Sequence, residues 1–213
     1  MKQILFDLDG TLTDSGEGII HCMQETLEHF GLPVPLKEDL RIVVGPPLRD
    51  SLIRFGVAPG DTDAAIEVYR KHYVDHGRYE NYPYPGIEET LQRLKMQGHQ
   101  LYVATSKPEA MSIEILQYYS LAQYFDIICG AAPDGSRDNK EKVIQHLLQQ
   151  ISPIRGQLIM VGDTIYDIEG AKALDIPAIG VSWGYGVVAD MKSAGAFGIV
   201  DTMEELVNLI NQR

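Results

Sequence analysis

Three short apolar runs, each closed by a polar residue, constrain this chain more than any other feature. Ile4-Leu5-Phe6 runs into Asp7, Leu101-Tyr102-Val103-Ala104 into Thr105, and Leu158-Ile159-Met160-Val161-Gly162 into Asp163. Phe125-Asp126-Ile127-Ile128-Cys129 and Ala178-Ile179-Gly180-Val181 have the same length and character. The runs are nearly continuous rather than alternating, the pattern of strands covered on both faces. Helical patterns lie between them. Ile87, Thr90, Leu91, Leu94 and Lys95 share one face of a helix that Gly98 stops, and residues 108–118, 140–150 and 165–174 form three more. Strands alternating with helices predict a doubly wound, Rossmann-like α/β fold with a mostly parallel sheet. Such sheets bind ligands at their carboxyl edge, so Asp7, Thr105 and Asp163 are expected to converge there.

From about residue 16 to 79 the alternation stops. Ile19, Ile20, Met23, Leu27 and Phe30 make one helical stripe, Leu48, Leu52 and Phe55 a second, and Ile66, Tyr69 and Tyr73 a third. This reads as an α-helical cap over 16–79, inserted into an α/β core formed by 1–15 and 80–213. The exit, with Tyr79, Tyr82, Tyr84, Pro83 and Pro85, reads as a semi-rigid connector whose tyrosines pack a hinge.

Charge narrows the functions. The 213 residues carry 18 Lys+Arg against 30 Asp+Glu, a net charge of −12, which excludes a binder that tracks nucleic-acid phosphates along a basic face. Small anionic substrates stay open, because a local cation or metal outweighs a distant net charge. Cys22 and Cys129 sit in apolar runs and suggest buried, unlinked thiols in a reducing compartment. Asp7 and Asp9 interrupt any secretory apolar segment after Met1, and no apolar run approaches the ~20 residues that span a bilayer. The expectation is a cytoplasmic protein, monomer or homodimer, with no membrane partner.

Asp7-Leu8-Asp9-Gly10-Thr11 carries the sharpest chemical signal. Residues two apart in an extended chain point the same way, so two carboxylates face one pocket and call for a cation or a shared proton. Mg²⁺ suits them, as a hard ion that takes oxygen ligands; a polar turn built on Asp9-Gly10 is the plain alternative. Asp163 and Asp167 lie one helical turn apart and can be neighbours, or can simply answer a helix dipole. Thr105 and Ser106 offer hydroxyls and N–H groups to a phosphoryl group, or cap the helix that follows.

Taken in order, these segments resemble the haloacid-dehalogenase-like phosphohydrolases. Asp7-Leu8-Asp9-Gly10-Thr11-Leu12 resembles the first motif of that superfamily, Val103-Ala104-Thr105-Ser106 the second, Lys140 the third, and Gly162-Asp163 with Asp167 the fourth. Thr105-Ser106-Lys107-Pro108, Gly45-Pro46-Pro47-Leu48 and Trp183-Gly184-Tyr185-Gly186 are similar to its phosphoglycolate phosphatase and 5′-nucleotidase branch. The resemblance implies an Mg²⁺-dependent phosphatase acting on a small phosphorylated metabolite through an aspartyl-phosphate. Asp7 would be the nucleophile and Asp9 the acid and base, with Thr105, Ser106 and Lys140 on the phosphoryl group. Asp7, Asp9 (through its backbone carbonyl) and Asp163 would hold the metal, with Asp167 behind them. The cap would close over the site and exclude bulk water.

A phosphoglycolate-like ester is the expected substrate. A nucleoside monophosphate, phosphosugar mutase chemistry and a non-catalytic binding module are the alternatives. Lys140 is preferred to Lys142 because its place just after the Gly135-Ser136-Arg137 loop puts it at the sheet edge, although many relatives carry Lys-Pro there and this chain has Lys140-Glu141. Lys107 either binds phosphate or lies on the loop surface. Arg49, ending a rigid Gly-Pro-Pro turn, either meets a substrate carboxylate or faces solvent. His72 and His76 have a ligand-like spacing, but no Glu or third ligand lies close by in sequence, so no metal is assigned to them.

Overall fold

A computed structural model describes residues 1–212. The chain divides into two compact units, one made of Met1–Thr13 with the described chain from Pro83 onward, the other of Asp14–Tyr82. These crossings lie two to three residues outside the 16–79 boundaries expected from the sequence pattern.

The first unit opens with β1 (Gln3–Phe6), and the two-residue strands β2 (Thr13–Asp14) and β3 (Tyr82–Pro83) stand at the crossings. There follow α4 (Ile87–Met96), β4 (Gln100–Pro108), α5 (Glu109–Tyr118), β5 (Ile127–Ala131), α6 (Lys140–Gln150), β6 (Leu158–Gly162), α7 (Ile165–Lys172), β7 (Ala178–Val181), α8 (Val188–Ala194), β8 (Gly198–Val200) and α9 (Met203–Asn211). Six strands form one sheet in the order β5-β4-β1-β6-β7-β8, every pairing parallel.

The apolar runs are continuous because both faces are covered. Ile4 and Phe6 of β1 join a core with Val103, Val161, Leu91, Leu94, Leu206 and Ile210. Leu5, pointing the other way, joins Tyr102, Met160, Val143, Leu147 and Ile168. Each face is thus sealed by helices, as parallel sheets require.

Besides the two-residue strands β2 and β3, the elements α8, β8 and α9 escape the sequence reading. β8 is only three residues long and opens on Gly198. For α9 a signal existed. Thr202 accepts a hydrogen bond from Glu205 N–H at 3.2 Å, the Thr-x-x-Glu start of a capped helix. β4 also runs further than its apolar stretch. An irregularity between Ala104 and Pro108 carries Thr105-Ser106-Lys107 along as bulged strand rather than loop.

The second unit is helical: α1 (Gly16–His29), α2 (Leu48–Arg54) and α3 (Thr62–Asp75), with α1 packed on α3. Tyr79 and Tyr82 are half exposed, not packed as a hinge, whereas Tyr84 meets Trp183 edge-on at 6.5 Å. Cys22 and Cys129 are buried and form no disulfide. Among the described residues no helix is long and apolar enough to cross a membrane.

Candidate active site

The strand order places the site. Within the sheet the chain continues from β1 to β4 on one side and from β6 to β7 on the other, so a crevice opens between the carboxyl ends of the adjacent strands β1 and β6. Asp7 follows β1 directly, and its N–H donates to the Val161 carbonyl at 2.9 Å, extending the ladder by one residue. The chain then turns back. Gly10 has φ +82°, its N–H donates to Thr13 O at 2.7 Å, and a Cβ on it would overlap the Asp163 carboxylate. Both the backbone and the space demand glycine at this position.

Lys140 is the first residue of α6, whose start Asn139 caps by accepting from Lys142 N–H at 3.0 Å. Its ammonium is buried, 2.7 Å from Asp7 Oδ1, 2.7 Å from Asp167 Oδ1 and 3.0 Å from the Ala104 carbonyl it donates to. Asp167 uses its other oxygen locally: Thr164 N–H and Oγ1–H donate to Oδ2 at 3.0 and 2.9 Å. One carboxylate therefore both caps α7 and anchors the lysine. Lys142 is exposed and pairs with Asp138 at 2.9 Å.

Asp7, Asp163 and Asp167 are all buried and bring one oxygen each within 4.8 Å of the others. Burial pushes Asp7 up to about 6; Asp167 adds to the rise, while Lys140 and a hydrogen bond from Thr105 hold it back. Asp163 lies well above the ordinary carboxylate range, first from burial, then from the charges of Asp167 and Asp7. Burial works against the Lys140 charge, but Asp167 and Asp7 outweigh it and raise that pKa. One ammonium thus faces three carboxylates in a water-poor site. Hard oxygen donors with excess negative charge fit a divalent cation such as Mg²⁺.

On the other side of Asp7, Lys107 Nζ grips Asp9 at 3.0 and 2.9 Å with its side chain only 6% exposed. Of the two roles open to Lys107 in the sequence, the loop surface is excluded. Its burial beside a carboxylate 98 positions away depends on the bulge in β4. Thr105 is buried and accepts from Lys107 N–H at 3.2 Å, whereas Ser106 is exposed. Arg49 belongs to the helical unit, where its guanidinium is engaged by Thr62 and Asp63. It is therefore not a bare cation waiting for a substrate carboxylate.

The Trp183-to-Gly186 loop has a role that no residue pattern reveals. Tyr185 N–H donates to Asp163 Oδ2 at 2.8 Å, and the Thr11 hydroxyl lies 3.5 Å from Oδ1. A Cβ on Gly184 would overlap Asp163 Cβ and Oδ2 and the Gly10 carbonyl. Gly184→Ala should therefore push Asp163 aside and cut kcat/KM by about a hundredfold, since a 1 Å misplacement costs that much. Steady-state kinetics at saturating Mg²⁺ check this, and an unaltered rate would deny Asp163 a part in the reaction.

Residues 4–181 match the model of the haloacid dehalogenase-like hydrolases. The chain is 37% identical over 191 residues to a 5′-nucleotidase of Pseudomonas aeruginosa, covering 89% of this chain and 86% of that protein. It is 41% identical to the tyrosine-protein kinase PtkA of Mycobacterium tuberculosis over 86% of its own length, and spans only 62% of the length of that protein. A solved structure described as a predicted phosphatase from Clostridium acetobutylicum superposes with a TM-score of 0.94 at 40% identity, covering 100% of this chain and 99% of the other. A family match across most of the chain, on a fold that carries the four motifs at one sheet edge, makes this protein a member of the haloacid dehalogenase-like hydrolase family.

Proposed function

We propose that the protein is a phosphatase that hydrolyses a small phosphomonoester through a phosphoryl group carried on Asp7. The observation that carries this reading is the buried Asp7 carboxylate, held at the end of the central strand by Lys140 and Thr105. The Lys140 ammonium keeps Asp7 ionised in a site whose burial favours the neutral acid. An Asp7 oxygen attacks phosphorus, and the bond to the leaving oxygen breaks as Asp9 delivers a proton to it. Asp9 then takes a proton from water, whose oxygen attacks the acyl phosphate, releasing inorganic phosphate and restoring Asp7. Thr105 and Lys140 steady the equatorial oxygens. Lys107 holds Asp9 in the resting site, and an incoming phosphate offers that ammonium a second anion. Asp7, Asp163 and the Asp9 carbonyl, with Asp167 behind them, would hold Mg²⁺, which when bound offsets charge on the phosphoryl oxygens.

The residues around Asp7 meet only the phosphoryl group, so the rest of the substrate is chosen elsewhere. A phosphoglycolate-like ester follows from the sequence motifs. The 37% identity to a 5′-nucleotidase supports a nucleoside monophosphate as the second substrate reading. The 41% identity to a tyrosine-protein kinase supports a second reaction, delivery of the phosphoryl group to a hydroxyl acceptor rather than to water.

Turnover of a panel of phosphorylated metabolites in ¹⁸O water separates these. Hydrolysis places one labelled oxygen in the released phosphate, and unlabelled phosphorylated acceptor means transfer instead. In the same assay Asp163→Ala should move the Mg²⁺ activation curve further than Asp167→Ala, because Asp167 is also tied to Thr164 and Lys140. An unchanged curve for Asp163→Ala, or full activity in EDTA, refutes the metal assignment.

A further inference from the structure

Lys107 and Lys140 reach the site from two different elements, and one ion pair outside the site touches the backbone that carries each of them. Glu109 opens α5, two residues after Lys107. Gly130 of β5 lies opposite the irregular part of β4, between the register pairs Ala104 with Cys129 and Pro108 with Ala131. A Cβ on Gly130 would overlap the Lys107 carbonyl and the Glu109 backbone, so the bulge is packed directly on this glycine. The Gly130 N–H donates to Glu109 Oε2 at 3.2 Å. Glu109 thus supplies from its side chain an acceptor for a strand N–H that faces the broken ladder. In doing so it pins the bulge that aims Lys107 at Asp9.

The same oxygen holds Arg137, whose Nη1 stands 3.1 Å away. Arg137 belongs to the loop between β5 and α6. From Pro133 to Asn139 the other residues of that loop are exposed, whereas Arg137 turns inward with its side chain 15% exposed. An ion pair of two exposed side chains would hold little in place, but this one is shielded and charge-assisted. Arg137 Nη1 also donates to Cys129 Sγ of β5 at 3.8 Å, and the Arg137 carbonyl accepts from Ala132 N–H at 3.3 Å, which closes the loop on itself. Two residues later Asn139 caps α6, and Lys140 follows with its ammonium between Asp7 and Asp167. The stem of Lys140 runs so close to Gly170 that a Cβ there would stand 2.8 Å from it. With the stem so confined, α6 has to start at one place for the ammonium to reach both acids.

We propose that Glu109 and Arg137 are positioning residues: together they fix the β4 bulge that presents Lys107 and the loop that delivers Lys140. The effect on turnover rests on the phosphatase reading, so the test includes a signal that needs no reaction. In the ¹⁵N-labelled full chain without Mg²⁺, the buried ammonium groups of Lys107 and Lys140 should each give a slowly exchanging Nζ resonance, assigned with Lys107→Arg and Lys140→Arg. Glu109→Ala should broaden both, and Arg137→Met that of Lys140 alone. Glu109→Gln, which keeps an acceptor oxygen for both donors, should retain them. Below each unfolding midpoint, kcat on p-nitrophenyl phosphate should fall about tenfold to a hundredfold in Glu109→Ala and Arg137→Met and recover in Glu109→Gln. Unbroadened resonances in Glu109→Ala and Arg137→Met overturn the proposal whatever the rates, as does a parent chain in which neither ammonium is held. Broadened resonances with kcat unchanged would support the positioning and count instead against the part given to these lysines in the reaction. Should Glu109→Ala not fold, Arg137→Met decides alone, and an unaltered Lys140 resonance there refutes the proposal.

Discussion

Asp7→Asn should give a well-folded protein with at least about 10³-fold lower kcat on any phosphomonoester, p-nitrophenyl phosphate included. The side chains are nearly the same size, so packing at the end of β1 is kept. A neutral amide oxygen is a far weaker nucleophile towards phosphorus than a carboxylate. Stability should hold or rise in Mg²⁺-free buffer. Asp7 is raised to about 6 chiefly by burial, with Asp167 contributing, so a neutral group at this position relieves a cost the carboxylate carries. Lys140 keeps Asp167 as its partner in the variant. Urea unfolding alongside turnover separates the two outcomes, and activity within tenfold of the parent removes Asp7 as nucleophile.

The second large effect is on folding itself. Lys140→Met removes the buried ammonium that sits 2.7 Å from two carboxylates and leaves Asp7, Asp163 and Asp167 facing one another uncompensated. Breaking a buried ion pair from one side costs about 3–5 kcal/mol, enough to halve the stability of many domains of this size. Activity should vanish with it. Adding Asp167→Asn to Lys140→Met should recover part of the stability, because one of the orphaned charges is gone, but none of the turnover. Lys142→Met, at the exposed pair with Asp138, should change neither. Equilibrium unfolding of the four proteins, without Mg²⁺, gives the comparison. A Lys140→Met protein as stable as the parent would mean that water or a proton already balances the acids.

How much of this was legible in the sequence depends on the range of the interaction. The strands and the acids that end them could be read, because burial on both faces writes itself as a continuous apolar run and the strand-to-helix alternation dictates which ends meet. Lys140 could be placed from its position after a glycine loop; its three partners lie on β4, α7 and the end of β1, and no local pattern names them. Lys107 was ambiguous because its burial depends on an irregularity in β4. The grip of Gly184 and Tyr185 on Asp163 was invisible for a different reason: a missing Cβ and a backbone N–H leave no chemical signature in a sequence. The same holds for Glu25, which joins His72 and His76 only because α1 packs on α3.

The position of β1 also has a consequence for how the chain is made. It is synthesised before both of its neighbours, since its register partners are Gln100 to Val103 on one side and Leu158 to Val161 on the other. At ordinary elongation rates the nascent strand waits on the order of ten seconds before its second neighbour exists. For that time both edges of Ile4-Leu5-Phe6 are open to any other extended chain. Charges flanking such a run act as gatekeepers against that pairing, and here they are Lys2 and Asp7. The carboxylate proposed to attack phosphorus thus also stands where a charge disfavours pairing with another chain while β1 waits for its neighbours.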